Sequence, residues 1–210
     1  MQNPPKKQTL NRKQLREIVR EKRTSLSKSQ QTTAAIQLSK RLITQPKVIS
    51  AQHIAIYLAN DGELNTQTFI KWCWANNKQV YLPVIHPFSK GHLLFLHYTP
   101  NTPMSVNRFG ILEPKLDVNL IKLVQDIDII FTPLVAFDLS GARLGMGGGF
   151  YDRTLQKWYT NYQHNKKALP FPIGLAHDCQ QVETIPTECW DIPIPNIITP
   201  HKSYTFTLLK

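Results

Sequence analysis

Apolar positions near the start of the chain recur at helical spacing. In "NRKQLREIVREKR", from Asn11 onward, Leu15, Ile18, Val19 and Leu26 fall on one stripe at 100° per residue. Asn11 can cap this helix, with Gln14 three residues on as its capping-box partner. Arg12, Arg16, Arg20 and Arg23 lie along one edge of the stripe, Lys13 just beyond, and Glu17 and Glu21 further round. "SKSQ", with Ser27 and Gln30, predicts a second capping box, and its helix should stop before Pro46. Residues 1–9 are expected to be a flexible lead-in.

The period then changes from helical to short apolar runs. "HIAIYL" (53–58) reads as a strand, "NDGELNT" as a turn with Thr66 as a cap, "QTFIKWCWANN" as a helix and "QVYLPVI" (79–85) as the next strand. Strand, helix and strand within about thirty residues make a βαβ unit and imply a parallel sheet. "HLLFLHY" (92–98) is a further strand. "IDIIFTPLVAF" (127–137) is apolar apart from Asp128 and Thr132, which predicts a central strand covered on both faces. A helix should begin near Asp152, and "IGLAH" (173–177) and "NIITP" (196–200) predict shorter strands. The expected class is a single α/β domain over residues 10–210.

Composition narrows the functions available. Hydrophobic residues are 41% of the 210, enough for a core, and no run approaches the ~18–20 apolar residues of a membrane span. The basic start is not followed by an apolar run, so it does not read as a secretory signal. The odd cysteine count (Cys73, Cys179, Cys189) lacks metal-site spacing and suits a reducing cytoplasm. The net charge of +11 favours anionic partners: nucleotides, polyanionic metabolites, nucleic acid or a membrane surface. Nine of the 25 Lys and Arg fall in residues 1–28, against two acidic residues.

The candidate chemistry centres on "FDLSGARLGMGGGFYDRTL" (137–155), with five glycines between Gly141 and Gly149. It follows the C-terminal end of the expected central strand and leads into a helix. Ligands of open α/β sheets bind at such ends. Backbone N–H groups and a helix N-terminus there suit phosphate oxygens. Arg143 supplies positive charge, and Asp152 could hold Mg²⁺ on the same phosphates. No Lys-Ser/Thr follows the glycines, so this is not a Walker A loop. "GMGGGF" puts Phe150 where a Rossmann fingerprint needs its third small residue.

Other candidates keep more than one reading each. The arginine edge is a solvated face, a nucleic-acid patch or a reach toward the phosphates. Glu63, in the loop after a strand, either accepts hydrogen bonds from a ligand or is a turn acid before a helix. Phe109, in "NRFGILEP", either stacks on a flat heterocycle or packs in the core. None of the seven histidines has zinc-site spacing, and no G-x-S-x-G elbow appears.

Taken in order, "RKQLR", "YLANDGELNT", "NRFGILEP", "LVAFDLSGARLGMGGGFYDRTL" and "CWDIPI" resemble the 5-formyltetrahydrofolate cyclo-ligase family over residues 11 to 200. The resemblance implies a three-layer domain with a mostly parallel central sheet flanked by helices. It implies ATP- and Mg²⁺-dependent closure of 5-formyltetrahydrofolate to 5,10-methenyltetrahydrofolate, releasing ADP and phosphate. ATP contacts map to Arg12, Arg16 and the run Arg143, Leu144, Gly145, Met146, Gly147, Gly148, Gly149, Phe150, Tyr151 and Asp152. Folate contacts map to Leu58, Glu63, Phe109 and Tyr151, metal-linked carboxylates to Asp152 and Asp191, and the catalytic pair to Arg143 and Asp152. The family's first basic residue is usually lysine. Arg12 stands there with Lys13 beside it, and either can touch phosphate.

The chemistry agrees with this assignment. A formamide is a poor electrophile, and phosphoryl transfer to its oxygen would activate the carbon toward N10. That step needs charge neutralisation and positioning rather than a protein nucleophile, which fits glycines, arginines and one aspartate. The expected partners are ATP and 5-formyltetrahydrofolate, its polyglutamates included, with no nucleic acid or membrane, and the expected state is a cytoplasmic monomer. The competing classes are a nucleic-acid-binding module, which the charge of +11 supports but for which RRM, KH and zinc signatures are lacking, and a different ATP-dependent ligase or kinase.

Overall fold

The computed structural model describes residues 10–208; the lead-in expected over 1–9 lies outside them. Both capping boxes form. Asn11 and Gln14 open α1 (Arg12–Thr24), and Ser27 and Gln30 open α2 (Lys28–Leu42). A short α3 (Pro46–Ser50) leads into β1 (His53–Ala55), α4 (Gln67–Ala75) and β2 (Gln79–Ile85). β1 and β2 pair in parallel, as the βαβ pattern predicts. Then follow β3 (Leu93–His97), a hairpin of β4 (Met104–Val106) and β5 (Leu112–Pro114), β6 (Ile121–Lys122), β7 (Ile129–Pro133), a ribbon of β8 (Ala136–Phe137) and β9 (Arg143–Leu144), α5 (Phe150–His164), β10 (Phe171–Leu175), β11 (Asn196–Ile198) and β12 (Ser203–Thr205).

Eight strands form one sheet in the order β12-β11-β10-β7-β1-β2-β3-β6. Its inner strands β11, β10, β7, β1 and β2 run parallel, and β12, β3 and β6 add antiparallel edges. Alternate residues serve opposite faces. Ile54, Val80, Leu82, Ile129 and Phe131 pack with Leu38 and Leu42 of α2 and Phe69 and Ile70 of α4. Ala55, Tyr81 and Ile130 pack on the other face with Leu155 and Trp158 of α5. Helix, sheet and helix make three layers. In a third cluster, Leu15 and Val19 of α1 cover Val135, Ala136, Ala142 and Leu144 of the β8–β9 ribbon.

Several expected boundaries move, each for a local reason. The strand expected over 127–137 breaks at Pro133, which has no N–H to extend the ladder. The chain then leaves the sheet, and Ala136 and Phe137 pair with Leu144 and Arg143 instead. The strand expected over 53–58 ends after one further bond, Ile56 N to Tyr81 O. Thr66 occupies the N-cap position of α4 without capping it. Its hydroxyl donates to Tyr57 O at 2.6 Å, while Asn65 Oδ1 accepts from Gln67 N. α5 begins at Phe150, two residues early, and β10 and β11 cover 171–175 and 196–198 rather than 173–177 and 196–200. In α1, Ile18 is exposed, and Arg23, at the edge of the stripe, is fully buried.

The chain runs from β1 outward to β2 on one side and from β7 outward to β10 on the other. The sheet's topological switch point therefore lies between β1 and β7, where such folds open a ligand crevice. The loops leaving these two strands carry Glu63 and the glycine-rich segment.

Candidate active site

A cavity of about 700 Å³ opens at that switch point, within the range of small-molecule sites. Its wall takes Leu58 and Glu63 from the loop after β1, Leu82 and Ile85 from β2, and Pro133 and Leu134 at the end of β7. Phe109, Ile111 and Glu113 come from the β4–β5 hairpin. Arg143, Gly145, Met146, Gly148, Gly149, Phe150, Tyr151 and Asp152 form another side, and Arg20, Arg23, Tyr57 and Asp61 also border it. All four expected folate-side residues and most of the glycine-rich segment thus meet in one space.

The glycine-rich segment is braced from below. Asp138, buried, accepts from Ser140 N and its hydroxyl and from Ile185 N. Gly149 has φ +65° at the N-cap of α5, a conformation that suits glycine. No side chain caps that helix, so its first-turn N–H groups are available to an anion. Arg153 Nη1 donates to Gly148 O at 2.7 Å and fixes the loop's far side. Leu144 is fully buried against α1, so its side chain anchors rather than lines.

Arg143 is buried, and its Nη2 donates to Asp152 Oδ1 at 2.6 Å, while its Nε donates to Ile192 O at 3.2 Å. Asp152 Oδ1 also accepts from Ile192 N at 3.3 Å. The second oxygen of Asp152 takes part in no such bond among the described residues. It suits a Mg²⁺ that keeps most ligands as water and phosphate. Asp191 differs. Arg12 grips both its oxygens, Oδ2 also accepts from Glu188 N, and it does not line the cavity. Both Asp191 oxygens thus accept hydrogen bonds, whereas Asp152 accepts only at Oδ1 among the described residues.

The arginine edge splits by partner along α1, and Arg20 and Arg23 rather than Arg12 or Arg16 line the cavity. Arg16 Nε donates to Gly145 O at 2.8 Å, and its guanidinium carbon lies 3.6 Å from the Cβ position of Gly147. Among the described residues Arg16 makes no ion pair. Burial, then the charge of Arg12, lower its pKa, so an arriving anion would relieve it. Lys13 points outward and only approaches Glu17 at 4.0 Å. Arg20 and Arg23, at the other end, both hold Asp61.

Glu63 is half-buried in the cavity wall, not a solvated turn acid. Its Oε2 accepts from Asn60 N at 3.1 Å. Burial pushes its carboxyl up to about 7, against the opposing pull of the Asn60 N–H and the Arg23 charge. Tyr57 and Tyr151 stand near it, and burial raises both phenols well above their ordinary range. Phe109 is 55% exposed at the cavity mouth, edge-on to Phe150 with centroids 6.0 Å apart, so it is not a core residue.

Sequence reasoning missed Glu113 and Asn107. Glu113 Oε2 accepts from Ile85 N and Asn107 Nδ2, and Asn107 Oδ1 accepts from Phe109 N and Ile111 N. This chain of bonds ties the tip bearing Phe109 to the end of β2. The Asn-x-x-Gly spacing of 107–110 was the available turn signal.

Comparison with known proteins decides the family. The family model described as the 5-formyltetrahydrofolate cyclo-ligase family matches residues 8–200. The chain belongs to the 5-formyltetrahydrofolate cyclo-ligase family. It is 50% identical over 185 residues to the 5-formyltetrahydrofolate cyclo-ligase of Escherichia coli K12, covering 88% of this chain and 98% of that protein. It is 49% identical over 190 residues to the Haemophilus influenzae cyclo-ligase, covering 90% and 98%. The solution structure of Aquifex aeolicus 5,10-methenyltetrahydrofolate synthetase superposes with a TM-score of 0.77 at 26% identity, covering 95% of this chain and 94% of that one. This cyclo-ligase fold therefore carries the three-layer architecture described above, with the cavity at its switch point.

Proposed function

We propose that this cyclo-ligase converts 5-formyltetrahydrofolate to 5,10-methenyltetrahydrofolate with ATP, releasing ADP and phosphate. The observation that carries the proposal is the single cavity joining the glycine-rich segment to Glu63 and Phe109. One wall suits a triphosphate and the other a planar, hydrogen-bonding heterocycle. Family membership and half-identity to named cyclo-ligases support the same reaction.

In this reading, the N–H groups at the start of α5 and the Arg16 guanidinium hold the phosphates, and Arg143 fixes Asp152 beside them. Glu63 accepts N–H bonds from the pterin, Leu58 packs on it and Phe109 covers it from the hairpin. Tyr151 lies where the two substrates meet. Mg²⁺, held by Asp152, would neutralise charge building on the transferred phosphoryl group. The formyl oxygen takes the γ-phosphoryl group, N10 attacks the activated carbon, and phosphate leaves with the N10 proton lost to solvent. The free cysteines Cys73, Cys179 and Cys189 suit a reducing, cytoplasmic setting.

The direct test is absorbance of methenyltetrahydrofolate formed from 5-formyltetrahydrofolate and Mg-ATP. Absence of product with folded protein overturns the proposal. A second measurement separates the basic residues. Arg16→Ala should raise the KM for ATP by about tenfold or more, the loss of one charge-assisted contact. Lys13→Ala should change it by less than about twofold, because an exposed pair contributes little. A large effect from Lys13→Ala with none from Arg16→Ala would reverse this assignment.

A further inference from the structure

The turn that carries Glu63 is gripped by a cation that borders the cavity but has no part in the chemistry above. Arg23, in the last turn of α1, has no exposed surface. Its Nε donates to Asp61 O at 2.8 Å and its Nη2 to Asp61 Oδ2 at 2.8 Å. Its Nη1 donates to Leu134 O at 3.4 Å. One guanidinium thus joins the loop after β1 to the loop after β7, the two loops that flank the switch point.

That turn closes on itself, Glu63 N donating to Asn60 O at 2.9 Å, and Asp-Gly suits it; what the neighbouring helices add is its placement against the cavity. Asp61 has φ +49° and Gly62 φ +72°, two successive left-handed residues directly before Glu63. Asp and Gly both tolerate that conformation. The end of α1 packs straight onto the turn: a Cβ at Gly62 would meet Thr24 Cγ2 at 3.1 Å and Arg23 O at 3.3 Å. Gln31 of α2 donates to both Gly62 O and Arg23 O. Arg20 Nε adds a second donor to Asp61 Oδ2 at 2.7 Å.

A fully buried cation is an expensive way to fix a turn, because its desolvation offsets much of the attraction. The placement makes sense if the charge also acts on the neighbour that meets the ligand. We propose that Arg23, acting through Asp61, is a positioning residue for folate recognition, fixing the turn that aims Glu63 into the cavity and giving that carboxylate a positive neighbour. The inference rests on the assignment of Glu63 to the pterin.

The groups facing Glu63 are Asp61 on its own turn, Arg23 from α1, Tyr57 from the segment after β1 and Tyr151 from α5. Behind Arg23, His177 is buried, and burial together with the Arg23 charge lowers it to about 4, so it stays neutral near pH 7. Arg23 and Asp61 act on the Glu63 carboxyl in opposite senses, the first favouring its ionised form and the second disfavouring it.

The experiment is steady-state kinetics and ATP binding for Arg23→Gln, Arg23→Lys and Asp61→Asn, each alone and combined with Glu63→Gln. Arg23→Gln should raise the folate KM by about tenfold or more, with ATP affinity measured without folate changed less than about twofold. The acid limb of kcat/KM for folate should move to higher pH in Arg23→Gln and to lower pH in Asp61→Asn. Arg23→Lys keeps the charge and loses the fork, so it should raise KM with the limb in place. On the Glu63→Gln background the Arg23 and Asp61 changes should add less than about twofold.

Where Arg23→Gln does not fold, Arg23→Lys and Asp61→Asn run the same cycle. Undiminished losses on the Glu63→Gln background overturn the positioning role, as do unchanged folate KM values or equal losses for ATP and folate. Those outcomes leave the Glu63 assignment standing if Glu63→Gln alone is impaired. Normal folate kinetics in Glu63→Gln alone overturn both.

Discussion

Glu63→Gln is expected to lower kcat/KM for 5-formyltetrahydrofolate by about two orders of magnitude, leave ATP binding intact and stabilise the protein at pH 8. The catalytic loss follows from the site's geometry. A carboxylate can accept two N–H bonds from a planar ring, and an amide replaces one acceptor with a donor, leaving a buried partner unmatched. The stability gain follows from burial. The folded protein holds the Glu63 proton up to about pH 7, against an ordinary value of 4.5. Between those values the native state binds more protons than the unfolded chain, so the group's contribution to stability falls as pH rises from about 4.5 to about 7. Above that, an ionised carboxylate sits in a poorly solvated wall at a cost of about 1–2 kcal/mol, discounted for its partial exposure.

Glutamine carries no such cost and can still accept from Asn60 N. The two proteins should therefore melt alike near pH 4.5, and the variant should melt a few degrees higher at pH 8. Kinetics add an independent check, since kcat/KM reports the free enzyme. For the wild type, kcat/KM for folate should fall on acidification through about pH 7. Wild-type melting at or above the variant's at pH 8 would contradict the burial account. Unchanged folate kinetics would contradict the pterin role.

Legibility in the sequence followed the range of the interaction. The capping boxes at Asn11–Gln14 and Ser27–Gln30 form because each closes within three residues. The βαβ pairing of β1 with β2 was readable because two short apolar runs flank a helical segment within about thirty residues. The switch point was only half readable. The glycine-rich segment and Glu63 could each be placed after a strand, but that their strands are neighbours depends on Ile54 pairing with Ile129, across 75 residues. The break at Pro133 was visible as a proline and outweighed by the apolar run around it.

The ion pairs were the least legible. Arg12 with Asp191 and Arg23 with Asp61 join positions 179 and 38 residues apart, and charge alone does not say which carboxylate an arginine finds. Arg23 did leave a trace. It stands four residues after Val19, at the edge of the apolar stripe, where a charged residue that turns inward must be paired. Ile18, by contrast, lies off the centre of that stripe, and its exposure is the ordinary fate of a flank position.

Arg143→Ala and Asp152→Asn are expected to stop ATP use by two separable routes. Arg143 is 5% exposed and holds Asp152 and Ile192 O. Removing its guanidinium strands a partly buried carboxylate and a backbone carbonyl, so Arg143→Ala should lose about 3 kcal/mol of stability as well as activity. Asp152→Asn keeps the size and can still accept from Arg143 and Ile192 N, so its stability should fall by only about 1 kcal/mol. What it loses is negative charge facing the phosphates. Its kcat should fall by about a hundredfold, and the Mg²⁺ concentration for half-maximal rate should rise by about tenfold or more. Folate binding measured without ATP should be near normal in Asp152→Asn, because the pterin wall is built from other loops. Melting curves, Mg²⁺ titrations and folate binding on the two variants separate these effects. An unchanged Mg²⁺ requirement in a folded Asp152→Asn removes Asp152 as the metal ligand. Unchanged ATP KM and kcat in both variants would place the nucleotide elsewhere than at the start of α5.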